Sequence, residues 1–195
     1  SFNKVLDVPG DKSLSIRWVL LASQATGKSK AYNLLESGDV ISAIISMRKL
    51  GVKILKRRGF YEINGVGLSG FRHKNNLNLN AGNSGTFARL LCGTLAGNVK
   101  NVKVTGDSSL SKRDFSRVVK PLELFGINIK TKKNKLPITI KGSKYLRPIF
   151  YKEEKGSAQV KSAILLASLN TPGQTIVKSK ISRNHTELMF KNCLK

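Results

Sequence analysis

Acidic side chains are scarce in this chain. Only 11 aspartates and glutamates stand against 35 lysines and arginines, a formal charge of +24 over 195 residues. That imbalance excludes a self-neutralised surface and points to a polyanion or a phosphorylated ligand as partner. Of the cations, 25 are Lys and 10 are Arg, and many lysines stand singly in strand-like or turn segments: Lys4, Lys53, Lys100, Lys103, Lys141 and Lys178. A nucleic-acid surface more often shows clustered arginine interleaved with exposed aromatics, so nucleic acid is the less favoured partner. Two cysteines, Cys92 and Cys193, make no disulfide framework and suit a reducing compartment. Cys92 falls within an apolar helical run, as a small core residue does. No stretch approaches the ~20 apolar residues of a membrane span and no signal-peptide pattern opens the chain, so the expected location is cytoplasmic, away from membranes.

What the chain does have is a repeat. "VPGDKSLSIRWVLLAS", "NAGNSGTFARLLCG" and "EKGSAQVKSAILLAS" each place a small, polar, Gly-containing turn before an apolar helix with a cation in its first part. Arg17, Arg89 and Lys161 recur at intervals of 72 residues. The units agree further on. "KAYNLL" reads as a strand, "DVISAIISMRKLG" as a helix with Asp39 as cap and Gly51 as stop, and "VKILK" and "FYEING" as two strands split by Arg58 and Gly59. In the second unit "NVKVTG" is the strand and "KRDFSRVVKPLELFG" the helix, interrupted or bent at Pro121. "INIKTK" and "LPITIKG" form its strand pair. The third gives a helix from about Ser157, the strand "QTIVKS" and a helix from about Asn184 to Leu194.

The fold class implied is α/β (α+β): one lobe of βαβαββ-like units with pseudo-threefold symmetry, over about 1–75, 76–145 and 146–195. Parallel and antiparallel pairing stay open. "WVLLA" and "AILLAS" are too apolar for surface helices, so the helices are expected centrally with the sheets outside. By the period a further strand pair should follow the third unit, and the chain reads as an incomplete lobe.

The turns carry the chemistry. Helix N-termini present unpaired N–H groups and partial positive charge. In "PGDKS" Lys12 stands at such a mouth, and Arg17 follows Ser13 by one helical turn, a grouping able to hold phosphate or carboxylate. A plain serine cap with solvated cations would look the same. In "NAGNSGT", Gly82 and Gly85 flank Asn83 and Ser84 before Thr86, a density that lets backbone amides approach a ligand. Ser157, Ala158 and Gln159 repeat the theme with a neutral amide suited to hydroxyls, and Arg113 follows a polar loop from which it could close over an anion. "ATGKSK" is not a phosphate-binding P-loop, because Ala22 stands where its first glycine is needed and a strand rather than a helix follows. His185 and Glu187 do not share a helix face and only His73 remains beside them, so no metal site is expected.

At these residues the chain resembles the enolpyruvyl transferases, specifically their 5-enolpyruvylshikimate-3-phosphate synthase branch. "PGDKS" with Arg17, "NAGNSGT" with Arg89, "GDSSLSKR", "GSAQVKSAILLASLNTPG" and "SRNHTE" occur in that family's order and spacing, over essentially the whole chain. The resemblance implies a two-lobed protein, of which this chain matches most of one lobe. It implies transfer of the enolpyruvyl group from phosphoenolpyruvate to the 5-hydroxyl of shikimate 3-phosphate, with no cofactor and with the acid-base carboxylates in the other lobe. It also implies roles. Lys12, Ser13 and Arg17 would contact shikimate 3-phosphate, and Lys12 phosphoenolpyruvate as well. Ser157, Ala158 and Gln159 would hold phosphate and ring hydroxyls, with Arg183 nearby. Asn83, Ser84, Gly85 and Thr86 would wall the phosphoenolpyruvate pocket and Arg113 would grip its anionic end. Lys12, Arg113 and Gln159 are the catalytic candidates. Gly85 matches a position where relatives tolerant of the inhibitor glyphosate carry alanine, so sensitivity is expected here. Without a second lobe the chain is expected to turn over poorly or not at all. The alternatives are a non-catalytic module binding a phosphorylated ligand or nucleic acid, and a structural lobe bound to a partner protein, for which Lys12, Arg17 and Arg113 would have no purpose.

Overall fold

The computed structural model describes residues 8–193. Leu194, the expected last residue of the final helix, and Lys4 lie outside them. The first repeat begins with helix α1 (Lys12–Gln24), followed by strand β1 (Thr26–Tyr32), helix α2 (Gly38–Lys49) and the strands β2 (Lys53–Arg57) and β3 (Phe60–Val66). The second contains β4 (Leu77–Asn80), α3 (Gly85–Thr94), β5 (Val102–Thr105), the single turn α4 (Ser108–Ser111), α5 (Ser116–Leu124), β6 (Asn128–Lys132) and β7 (Lys135–Lys141). The third contains β8 (Phe150–Glu153), α6 (Ala158–Ser168), β9 (Ile176–Ser179) and α7 (His185–Cys193).

Sheet pairing shows how the repeats correspond. In the second, β4 runs parallel to β5, which is antiparallel to β7 of the β6/β7 hairpin, in the order β4-β5-β7-β6. The first repeat shows the right-hand part, β1-β3-β2, all antiparallel, and the third shows the left-hand part, parallel β8-β9. The second unit thus joins a parallel pair to a hairpin, the described strands of the other two match its right-hand and left-hand parts, and the parallel pairs need the crossover helices α3 and α6.

The helices are central. Phe87, Leu90 and Leu91 of α3, Ile16 and Leu20 of α1, and Ala163 and Ile164 of α6 are fully buried. A Cβ on Gly93 would stand 2.1 Å from the Ala163 carbonyl oxygen, so the absence of a side chain there sets the α3–α6 separation. The sheets lie outside with one wet face. On β7, Leu136, Ile138 and Ile140 point inward while Lys135 and Lys141 are exposed. Much of the lysine excess is thus the solvated face of sheets.

Several local expectations shift. The "GKS" triplet lies inside β1 rather than ahead of a strand. Ser37, not Asp39, occupies the N-cap of α2; Asp39 sits in its first turn, where the helix dipole favours a carboxylate. Gly51 follows the helix at φ 90°, a stop that a Cβ would strain. The second-unit helix starts at Ser116, four residues later than its sequence suggests, because Asp114 accepts the Ser116 amide and holds the preceding turn open. Pro121 lies inside that helix without ending it.

Candidate anion site at the convergence of three helix starts

The N-caps of α1, α3 and α6 are Asp11, Ser84 and Ser157, and each accepts an amide from the third residue beyond it: Leu14, Phe87 and Val160. The caps recur at 73 residues, from 11 to 84 and from 84 to 157, whereas the cations recur at 72. Arg17, Arg89 and Lys161 therefore stand six, five and four residues beyond their caps, on three different helix faces. The repeated turn, not the repeated cation, is the structural equivalence.

These three helix starts meet at one cavity of about 240 Å³, lined by Lys12, Ser13, Arg17, Thr86, Ala158, Gln159 and Arg183. Three helix N-termini, one of them capped by the Asp11 carboxylate, and three cationic side chains surround it, and no carboxylate is among its lining residues. Arg17 is 3% exposed. Its Nε donates to Thr186 Oγ1 at 2.8 Å, Nη1 to the Ser13 carbonyl at 3.0 Å and to Ser13 Oγ, and Nη2 to Ser162 Oγ at 3.0 Å. All these acceptors are neutral. Burial, and next the charge of Arg183, lower the Arg17 guanidinium from its ordinary value. A buried cation without a paired anion is costly, and an anionic ligand in the cavity would supply the missing charge.

The second wall is built the same way. Arg89 Nη1 donates to Gln159 Oε1 at 3.1 Å and Nη2 to the Asp114 carbonyl at 3.0 Å, and its guanidinium lies over the Phe115 ring, 4.7 Å from the centroid. Burial first, then Arg113, lower its pKa. Gln159 Nε2 donates in turn to Thr86 Oγ1 at 3.0 Å, so α3 and α6 are tied across the floor of the cavity.

Of the residues singled out in the sequence, Lys12, Ser13, Arg17, Thr86, Ala158, Gln159 and Arg183 meet at the cavity. Ser157 caps α6 beside it. Asn83, Gly85 and Arg113 form an adjoining turn: Arg113 Nη2 reaches Asn83 Oδ1 at 3.4 Å, and Asn83 donates to Asp107 at 2.6 Å. A Cβ on Gly85 would stand 2.8 Å from Arg89 Nη1 and 3.0 Å from Arg113 Nη1, so this glycine lies directly under both guanidiniums. Ser84 is fully buried; its hydroxyl accepts the Phe87 amide and its N–H donates to the Ala81 carbonyl, so it shapes the turn. Lys12 is half-exposed and pairs with Asp39 at 3.3 Å, which restrains it at the rim.

The family model for EPSP synthase (3-phosphoshikimate 1-carboxyvinyltransferase) matches residues 1–193. The chain belongs to the EPSP synthase family. It is 44% identical over 189 residues to the 3-phosphoshikimate 1-carboxyvinyltransferase of Streptococcus mutans, covering 95% of this chain and 44% of that protein. It is 47% identical over 188 residues to the Sulfurihydrogenibium enzyme of the same name, covering 95% and 43%. The solved EPSP synthase of Acinetobacter baumannii superposes with a TM-score of 0.89 at 40% identity, over 95% of this chain and 42% of that one. The chain thus spans less than half the length of the curated relatives it matches.

Sequence reasoning passed over several of the contacts that build the site. Ser162 and Thr186 lie inside quoted motifs, yet their contacts with Arg17 join segments 145 and 169 residues apart. Lys161 is nearly buried and pairs with Glu187 of α7 at 2.5 Å, which the i, i+2 spacing of His185 and Glu187 could not reveal. Arg89 was visible as a periodic cation, but its partners Gln159 and Asp114 were not. No group of His, Cys, Asp and Glu suited to a metal occurs among the described residues, and no described helix is long and apolar enough to cross a membrane.

Proposed function

We propose that this chain forms one wall of the substrate cleft of a 3-phosphoshikimate 1-carboxyvinyltransferase. The observation that carries the reading is the meeting of three helix starts beside the buried Arg17 and the half-buried Arg89, whose protein hydrogen-bond partners are all neutral. Shikimate 3-phosphate would lie against Lys12, Ser13, Arg17, Ser157, Ala158, Gln159 and Arg183, its phosphate on the helix starts and its ring hydroxyls on Gln159. Phosphoenolpyruvate would lie against the 83–86 turn, with Arg113 and Lys12 on its charged ends. The 5-hydroxyl then adds to C2 of the enol phosphate as its methylene carbon takes a proton, and departure of phosphate with loss of a proton from the resulting methyl group restores the double bond. Holding two multiply charged anions together is the main demand, and fixed dipoles and cations meet it without reorganisation.

The proton transfers require a carboxylate. None lines this cavity, and a second lobe of the same enzyme would supply it. Calorimetry with shikimate 3-phosphate and with unphosphorylated shikimate tests the assignment. Binding of the former alone is expected; equal affinity for both would remove the phosphate site from the reading. Enolpyruvyl transfer is expected only after a polypeptide corresponding to the remaining lobe is added.

A further inference from the structure

Among the described residues Glu153 is the most buried carboxylate, 4% exposed, at the C-terminal end of β8. It does not line the cavity. Its Oε2 accepts the Ser157 amide at 2.7 Å, and its Oε1 accepts Arg117 Nη2 at 2.7 Å and the Lys155 amide at 3.4 Å. The other complete helix-start turn does this differently: the Ser84 amide is satisfied locally by the Ala81 carbonyl. In the third repeat a charged side chain takes that role and reaches into the neighbouring repeat.

That reach closes a circuit. Arg117 follows Ser116, whose amide bonds Asp114 Oδ1 at 3.0 Å. The Asp114 carbonyl accepts from Arg89, Arg89 donates to Gln159, and Gln159 stands two residues beyond Ser157. The turn presenting Ser157–Gln159 and the turn presenting Arg113 are thereby held from both ends. Burying a carboxylate is costly unless several donors satisfy it, and here two amides and a guanidinium do.

We propose that the Glu153–Arg117 pair is a positioning device that sets the two walls of the anion cleft in register with each other. It deepens the functional reading above and rests on it for the identity of the ligand. Glu153→Gln keeps the shape and removes the charge, Arg117→Gln removes the other half, and Arg117→Lys is the conservative rescue.

The test combines shikimate 3-phosphate titration with NMR of the Arg89 Nε–H, the Gln159 side-chain amide and the Ser157 N–H. Each Gln variant is expected to stay folded, melting somewhat below the parent because a buried charge loses its partner, yet bind about tenfold more weakly. Each should shift the Arg89 and Gln159 signals, the double variant should be no worse than either single one, and Arg117→Lys should recover part of the loss. Unmoved Arg89 and Gln159 signals, or losses that simply add in the double variant, would overturn the device. A parent chain that ignores shikimate 3-phosphate would overturn the functional reading alone, because the NMR arm still decides whether Glu153 and Arg117 act together on Arg89 and Gln159.

Discussion

Arg17 Nη2 lies 3.0 Å from the Ser162 hydroxyl although 145 residues separate them. Thr186, from a third segment, holds the Nε of the same guanidinium. One cation therefore joins α1, α6 and α7 at the base of the cleft.

Replacing Arg17 by Ala should cost about 1.5–3 kcal/mol of shikimate 3-phosphate binding, the range of a charge-assisted hydrogen bond. The buried Ser162 and Thr186 hydroxyls lose their donor but keep each other at 2.7 Å, so the loss of stability should be smaller than the loss of affinity. Calorimetry beside thermal melting separates the two; equal affinity in both proteins refutes the role.

Gly85→Ala should leave the fold intact, since Gly85 opens α3 without positive φ and alanine is the better helix former. Its methyl would press on the Arg89 and Arg113 tips and displace them from where an anion sits. Weakening of phosphoenolpyruvate and glyphosate binding by about 1–3 kcal/mol is expected from that overpacking. A titration in which both ligands bind Gly85→Ala as they bind the parent would show that the arginine tips move aside freely.

At Gly93 the sign reverses. Alanine gains ~1 kcal/mol in helix propensity, but its Cβ would meet the Ala163 carbonyl, backbone that cannot rotate away. The expected net effect is a destabilisation of about 2 kcal/mol or more, read as a lower urea midpoint. An unchanged midpoint would mean that α3 and α6 can separate without loss.

Acid should weaken the Glu153 circuit. Burial alone would raise its carboxyl, but the Ser157 amide and Arg117 outweigh burial and bring it below the ordinary glutamate value. A group with a lowered folded pKa contributes stability above its unfolded value, and that contribution fades as pH falls through the folded one. Unfolding measured from pH 6 downward should therefore show a steeper loss below about pH 4.3 in the parent than in Glu153→Gln. Parallel curves would show that the carboxylate contributes nothing to this dependence.

Cys92 should be inert while the protein is folded. Burial pushes its thiol up to about 12, and the sulfur donates to the Ala88 carbonyl at 3.1 Å. In a Cys193→Ser background, a thiol reagent should react at the rate of unfolding under denaturant and negligibly without it. Rapid reaction in native buffer would show that α3 opens locally.

The sequence alone settles what depends on short-range order. Helix and strand periods, glycine stops and the threefold return of a polar turn before an apolar helix are written in neighbouring residues, and so Lys12, Ser13, Thr86 and Gln159 could be named in advance. Their convergence could be anticipated only from family resemblance. The cations align at 72 residues, whereas the helix starts align at 73, because side-chain direction changes by ~100° per residue and only packing tells which face is used. Glu153 carried no local signal, and Arg117, Ser162 and Thr186, though inside recognised segments, showed nothing of their partners. Their hydrogen bonds join segments brought together by helix packing and parallel strand pairing, and a carboxylate becomes a buried anchor only where the tertiary fold removes its water and supplies two amides and a guanidinium instead.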